Sequence, residues 1–193
     1  RHDQAEVMFY QALQYEGDHA LAYSSIAESL LDRRDFDRAI YCFREAAAID
    51  PALPRVHARL AFAYAETGRQ ERARQLYLRE LRDHPGDIDT LLDLGCLLLD
   101  MNRLGEASEK FRRVLELESD NPDAHFHLGE LALRRRNLRD AHAAFRLVIR
   151  LDPTYPEARR RLASLLLDEN EVGEARKHLR RELREFRRNP SEF

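Results

Sequence analysis

An all-α array of helical hairpins is the fold this sequence predicts, and three observations carry it. A turn-like hexapeptide recurs at a fixed spacing. Each copy is flanked by two stretches of helical periodicity, and glycine, asparagine and proline punctuate the gaps. The copies are RDFDRA (34–39), GRQERA (68–73), NRLGEA (102–107), RNLRDA (136–141) and NEVGEA (170–175). Their final alanines, Ala39, Ala73, Ala107, Ala141 and Ala175, are spaced 34 residues apart, and one step back is Ala5. Self-similarity at such a period marks stacked supersecondary units.

That register divides the chain into a half unit at 1–19 and units at 20–53, 54–87, 88–121, 122–155 and 156–189. The half unit carries Ala5, Phe9, Ala12 and Leu13, a second-helix pattern without its first-helix partner. Further repeats upstream are expected, or self-association through the uncovered face. In the first full unit Tyr23, Ile26, Ala27 and Leu30 fall on one helical face, and Ala39, Phe43, Ala46 and Ala47 on another. The second unit places Gly68 at its hairpin turn, where a left-handed residue is wanted, and Pro85 where the second helix must stop. Leu91, Leu94, Gly95 and Leu98 give the third unit its first helix, and Asn102 its turn. In the fourth, Asn121 can cap, Pro122 supplies the fixed φ of a first turn and Asp123 complements the dipole. Its second helix is marked by Ala141, Phe145, Val148 and Ile149. Pro51 and Pro153 share the register of Pro85, while Ser119 replaces it in the third unit. The last unit opens YPEA (155–158) and turns at Asn170; Arg159 and Glu182 predict a wetter, capping repeat. From 176 to 188 there are seven Arg or Lys and two Glu around Leu179, Leu183 and Phe186. A capping helix explains this, with contact to nucleic acid, acidic lipid or an acidic protein as the alternative. At every turn the small registered alanine lets the two helices of a hairpin approach closely.

Composition narrows the function. Of 193 residues, 35% are charged and the formal net charge is -3, with opposite signs interleaved, so no global pull toward nucleic acid or an anionic membrane is expected. Cys42 and Cys96 stand far apart with no ligand spacing, predicting reduced thiols rather than a disulfide or zinc site. His125 and His127 fall on different helix faces and predict no metal centre, one half-buried and the other solvated. There is no glycine-rich phosphate loop, HExxH or GxSxG, so neither a cofactor nor an enzyme is expected. Apolar runs are too short to span a membrane and no signal pattern opens the chain. A cytoplasmic protein is expected, or a periplasmic one where an upstream signal has been removed; the missing first Met suggests a processed or excised chain. Arginine supplies 30 of the 32 basic residues, pointing to a GC-rich source genome.

With Leu60, Ala61, Tyr64, Gly68, Ala73, Tyr77 and Pro85 in one unit, the sequence resembles the tetratricopeptide repeat family over nearly its whole length. The favoured early Trp is replaced by Tyr23, His57, Leu91, His125 and Arg159. The resemblance implies a right-handed superhelix whose first helices line a concave groove, and a protein that binds other proteins. It turns places two, five and nine of each first helix toward that groove. There the expected strip is Ala58 with Phe62, Leu92 with Cys96, and Phe126. Glu28, Asp89, Asp93, Asp123 and Glu130 lie around it as acidic edges, with Glu66 and Asp100 at the rim, and Arg55, Arg59, Arg160 and Arg161 could meet acids. An extended or helical peptide with apolar anchors and basic flanks would suit such a surface; the same side chains could instead pack between hairpins. The family's carboxylate clamp of Lys, Asn and Arg at places five and nine is absent. The expected function is therefore a non-enzymatic adaptor or scaffold. Its alternatives are a substrate-recruiting arm of a larger enzyme such as a glycosyltransferase, or a self-assembling scaffold. Place six, Ser25, Arg59, Asp93, His127 and Arg161, lacks the asparagine ladder of those glycosyltransferases.

Overall fold

The computed structural model describes residues 19–155, 157–168, 172–176 and 180. Nine α-helices and no strand occur among them. They are α1 (His19–Asp32), α2 (Phe36–Ile49), α3 (Val56–Glu66), α4 (Gln70–Asp83), α5 (Ile88–Asp100), α6 (Leu104–Leu117), α7 (Pro122–Arg134), α8 (Leu138–Leu151) and α9 (Ala158–Asp168). The chain forms two compact units, one to Met101 and the other from Asn102. In the first, α1 and α2 form a hairpin, as do α3 and α4; α2 packs on α3, α4 on α5, and α3 also touches α5. In the second, α7 and α8 form a hairpin, with α6 against α7 and α9 against α8.

Local chemistry sets the ends of these helices. Asn121 accepts the Ala124 N–H at 2.9 Å ahead of Pro122, and Asn137 accepts the Asp140 N–H at 3.2 Å. The helices α2, α4 and α8 stop at Asp50, His84 and Asp152, each directly before a proline. Asp50 and Asp152 then turn the chain, accepting the N–H of Ala52 at 2.9 Å and of Thr154 at 2.8 Å. At the hairpin turns Arg34, Gly68, Asn102 and Arg136 all have positive φ, between 58° and 75°. The following residue reaches back across five, as from Asp35 N to Leu30 O at 2.9 Å and Asn137 N to Ala132 O at 2.8 Å. These bonds satisfy carbonyls at the helix ends. Of these four, sequence pointed to Gly68 and Asn102, while Asn170 lies outside the described residues; two arginines take the same conformation because the hairpin geometry demands it.

The registered alanines at 39, 73, 107, 141 and 175 are all fully buried. Around them the first unit buries Ile26, Leu30, Phe43, Val56, Tyr77, Leu94 and Leu98. The second buries Phe111, Val114, Phe145, Val148, Leu162 and Leu166. Gly129 lies so close to Phe145 that an added Cβ would stand 2.8 Å from its ring. Arg159, expected to be wet, is buried: its Nη2 donates to Pro153 O at 2.5 Å, tying the start of α9 to the preceding loop. His127 is likewise not a solvated side chain but stacks on Phe111, with centroids 5.0 Å apart. The half unit at 1–19, apart from His19, and Glu182 with most of the basic terminal run lie outside the described residues.

Candidate partner-binding surface

In the first unit the relevant side chains stand on α1, α3 and α5. Phe62, Leu92 and Cys96 are half-buried, each keeping some accessible surface, whereas Ala58 is buried. In the second unit Phe126 is also buried, its ring 5.0 Å from Tyr155 and 5.5 Å from Phe145. The accessible apolar strip is thus Phe62, Leu92 and Cys96, while Phe126 belongs to the core. Tyr155 in turn donates its hydroxyl to Asp123 at 2.7 Å.

Three of the expected acidic edges are zipped by arginines from an adjoining repeat. Arg59 Nε meets Glu28 Oε1 at 2.9 Å, and Arg55 Nη2 meets Asp89 Oδ2 at 2.7 Å. In the second unit Arg161 Nε meets Glu130 Oε1 at 2.9 Å. Burial holds the carboxyls of Glu28 and Glu130 above the usual carboxylate range, with Arg59 and Arg161 pulling the other way. Partial burial works against the charge on Arg55, but its bond to Asp89 and the nearby Asp87 and Asp93 outweigh it and raise the guanidinium.

Asp93 is different. Its residue surface is exposed, yet enough protein crowds the carboxyl that desolvation raises it, with Asp89 adding to the rise and Arg59 and Arg55 opposing it. The partner that holds it is Tyr77, whose buried hydroxyl donates to the carboxylate. Burial, followed by the charge of Asp93, pushes that phenol far above its ordinary range, so it remains a donor.

Behind this surface lies a buried polar node. Glu80, almost wholly enclosed, accepts the Arg55 N–H at 3.3 Å and faces His84 Nδ1 at 3.1 Å and His57 Nδ1 at 3.8 Å. It anchors Arg55 in a left-handed conformation, φ 63°, immediately before α3. The two prolines of PALP (51–54) and this anchor delay α3 to Val56, two residues past the expected start of the unit. The Arg55 side chain then crosses to Asp89. Burial first, then Arg79, lowers the His57 imidazole below its ordinary range despite Glu80 and Asp83.

Tyr77 and Glu80 were not among the residues expected to matter here. A signal existed: Tyr77 shares its register with Phe43, Phe111 and Phe145, and Glu80 with Ala46, Val114 and Val148. A hydroxyl or an acid in a column of apolar residues needs a buried partner. Among the described residues no group of three or more His, Cys, Asp or Glu side chains could hold a metal ion, and no helix is long and apolar enough to cross a membrane.

Family models of the tetratricopeptide repeat match residues 1–54, 92–156 and 129–190, and a second such model matches 30–90. Among solved structures the chain is similar to pilF of Pseudomonas aeruginosa, 23% identical with a TM-score of 0.78, covering 86% of this chain and 76% of that one. It is similar to MamA of Desulfovibrio magneticus RS-1 at 20% identity and a TM-score of 0.75, covering 92% of this chain and 100% of that one. YrrB, described as a TPR protein with an unusual peptide-binding site, is 19% identical with a TM-score of 0.66, covering 92% of this chain and 91% of that one. At such identities the likeness is one of fold.

Proposed function

The chain belongs to the tetratricopeptide repeat family, and from that premise we propose that it is an adaptor or scaffold that binds a partner peptide or helix along its first helices. Repeats of this family serve as protein-interaction modules. The observation that supports a binding surface here is the half-exposed strip of Phe62, Leu92 and Cys96, bordered by the charged pairs Arg59 with Glu28 and Arg55 with Asp89. An apolar strip inside a polar rim is the anatomy of a peptide-binding interface. The peptide-binding site attributed to YrrB adds that this fold can act so.

Selection of a randomised peptide display library on the folded protein tests this reading. Peptides should be enriched by the wild type, and Phe62→Glu should lose them by about tenfold or more, because an apolar anchor would meet a charge. The variant must keep its helical circular dichroism and its denaturation midpoint. Equal binding by a folded Phe62→Glu would move the contact away from this strip.

A further inference from the structure

We propose that the junction between α3 and α5 is a recognition site for a basic side chain, arginine or lysine, of the bound peptide, with Asp93 as counter-charge and Phe62 as platform. This rests on the peptide-binding reading above and names the chemistry of its ligand.

Register carries the inference. Where one first helix meets the next, the ninth place of one unit pairs with the sixth place of the following unit. Glu28 and Arg59 close that junction with an ion pair at 2.9 Å, and Glu130 and Arg161 close another at 2.9 Å. The same places on α3 and α5, two helices in contact, hold Phe62 and Asp93. The acid has changed sides and the cation has been replaced by an aromatic ring. The two arginines within range are engaged elsewhere, Arg59 with Glu28 and Arg55 with Asp89 at 2.7 Å. The acids Glu28, Asp89 and Asp93, with Asp87 near Arg55, outnumber these two arginines.

The second helix of the same repeat is altered to match. Phe43, Phe111 and Phe145 occupy a column in which only this repeat has Tyr77, and its hydroxyl donates to Asp93. That bond holds the carboxylate, and Asp93 keeps accessible surface. A carboxylate has lone pairs for two or more further donors, the fork that a guanidinium supplies. Phe62, half-exposed, adds a ring face over which a cation is attracted. Desolvation and Asp89 raise the Asp93 carboxyl, with Arg59 and Arg55 opposing the rise. Three coordinated differences, Phe62, Tyr77 and Asp93, thus separate this junction from its neighbour, which has Glu28, Phe43 and Arg59 at the equivalent places.

The display selection described above, read by sequencing, tests the proposal when run on wild type, on Asp93→Asn and on a triple variant. The triple variant, Phe62→Glu with Tyr77→Phe and Asp93→Arg, writes the neighbouring junction's residues into this one and closes it with an internal ion pair. Wild type should select peptides enriched in Arg or Lys at one position. A synthetic peptide of that sequence should bind Asp93→Asn about tenfold more weakly, the size of a lost charge-assisted hydrogen bond. The triple variant should fold with an unshifted or higher denaturation midpoint and lose the basic preference. Selected peptides with no basic enrichment, or unchanged binding of the basic peptide by Asp93→Asn, would overturn this proposal and leave the peptide-binding surface standing, whereas unchanged binding by the triple variant, which carries Phe62→Glu, would overturn the strip as well. Failure of wild type to enrich any peptide would overturn both.

Discussion

The two compact units use one register to build different interiors. In the second, the space between helices is filled by rings: Phe126 lies 5.5 Å from Phe145 and 5.0 Å from Tyr155, and His127 stacks on Phe111 at 5.0 Å. In the first, part of the equivalent space is polar, with Glu80 enclosed by Arg55, His57 and His84, and Tyr77 hydrogen-bonded to Asp93. Identical spacing therefore decides where helices go and leaves open what fills the crossings. An aromatic filling contributes stability through packed area. A polar filling contributes less, but it aims particular groups, Arg55 toward Asp89 and Tyr77 toward Asp93.

The largest effect expected from this contrast is in the aromatic unit. Phe145→Ala empties a site with no exposure that meets Phe126 at 5.5 Å and presses on Gly129. It should cost about 3–5 kcal/mol in chemical denaturation. A loss under about 1 kcal/mol would mean that the rings are not what holds this unit together.

A smaller effect, of a different kind, belongs to the polar unit. Burial lowers the His57 imidazole from 6.5 in the folded state, so the unfolded chain binds the proton more readily. Stability is fully present above that ordinary value and declines as pH falls through it toward the folded-state value. Denaturation midpoints at about pH 7.5 and 5.5 should therefore differ more for wild type than for His57→Gln. Equal pH dependence in the two proteins would remove His57 from the account. The raised carboxyls of Glu28 and Asp93 act in the opposite direction, which is why the comparison is made between the two proteins.

The smallest effect compares one turn from each unit. Arg136 and Arg34 both have φ 58°, a conformation glycine adopts without strain. Arg136→Gly should raise stability by about 0.5–1 kcal/mol. The gain from Arg34→Gly should be smaller, because Arg34 also lies 5.8 Å above the Phe36 ring and pairs with Glu66 at 3.7 Å. Equal gains would show that those two surface contacts contribute nothing.

Helices and turns were legible in the sequence because a repeat reports itself several times over: Ala39, Ala73, Ala107 and Ala141 each vouch for the others. The candidate surface was less so. Place five reads apolar at Ala58, Leu92 and Phe126 alike, but Ala58 and Phe126 are buried while Leu92 is only half-buried, since exposure depends on the size of what packs beside it. The acids around the strip were visible as residues and not as pairs. Their arginine partners sit a repeat away, as Arg59 does from Glu28, and side-chain reach decides whether they meet. Arg159 shows the converse: a charged residue at an apolar place suggested water, and the structure instead lays it against the Pro153 carbonyl.

Within the first unit, helices pack chiefly on their neighbours in the chain, and α3 also touches α5 across α4. Short sequence separation keeps the entropy of loop closure low and folding fast. Neighbouring pairs can form as soon as both members exist, whereas the skipping contact must wait until α4 has been laid between them. Phe62 and Asp93 stand on opposite sides of that last closure. A pairing of Phe62 with Asp93 therefore needs three consecutive helices in place, and a partly folded chain would carry both residues without bringing them together.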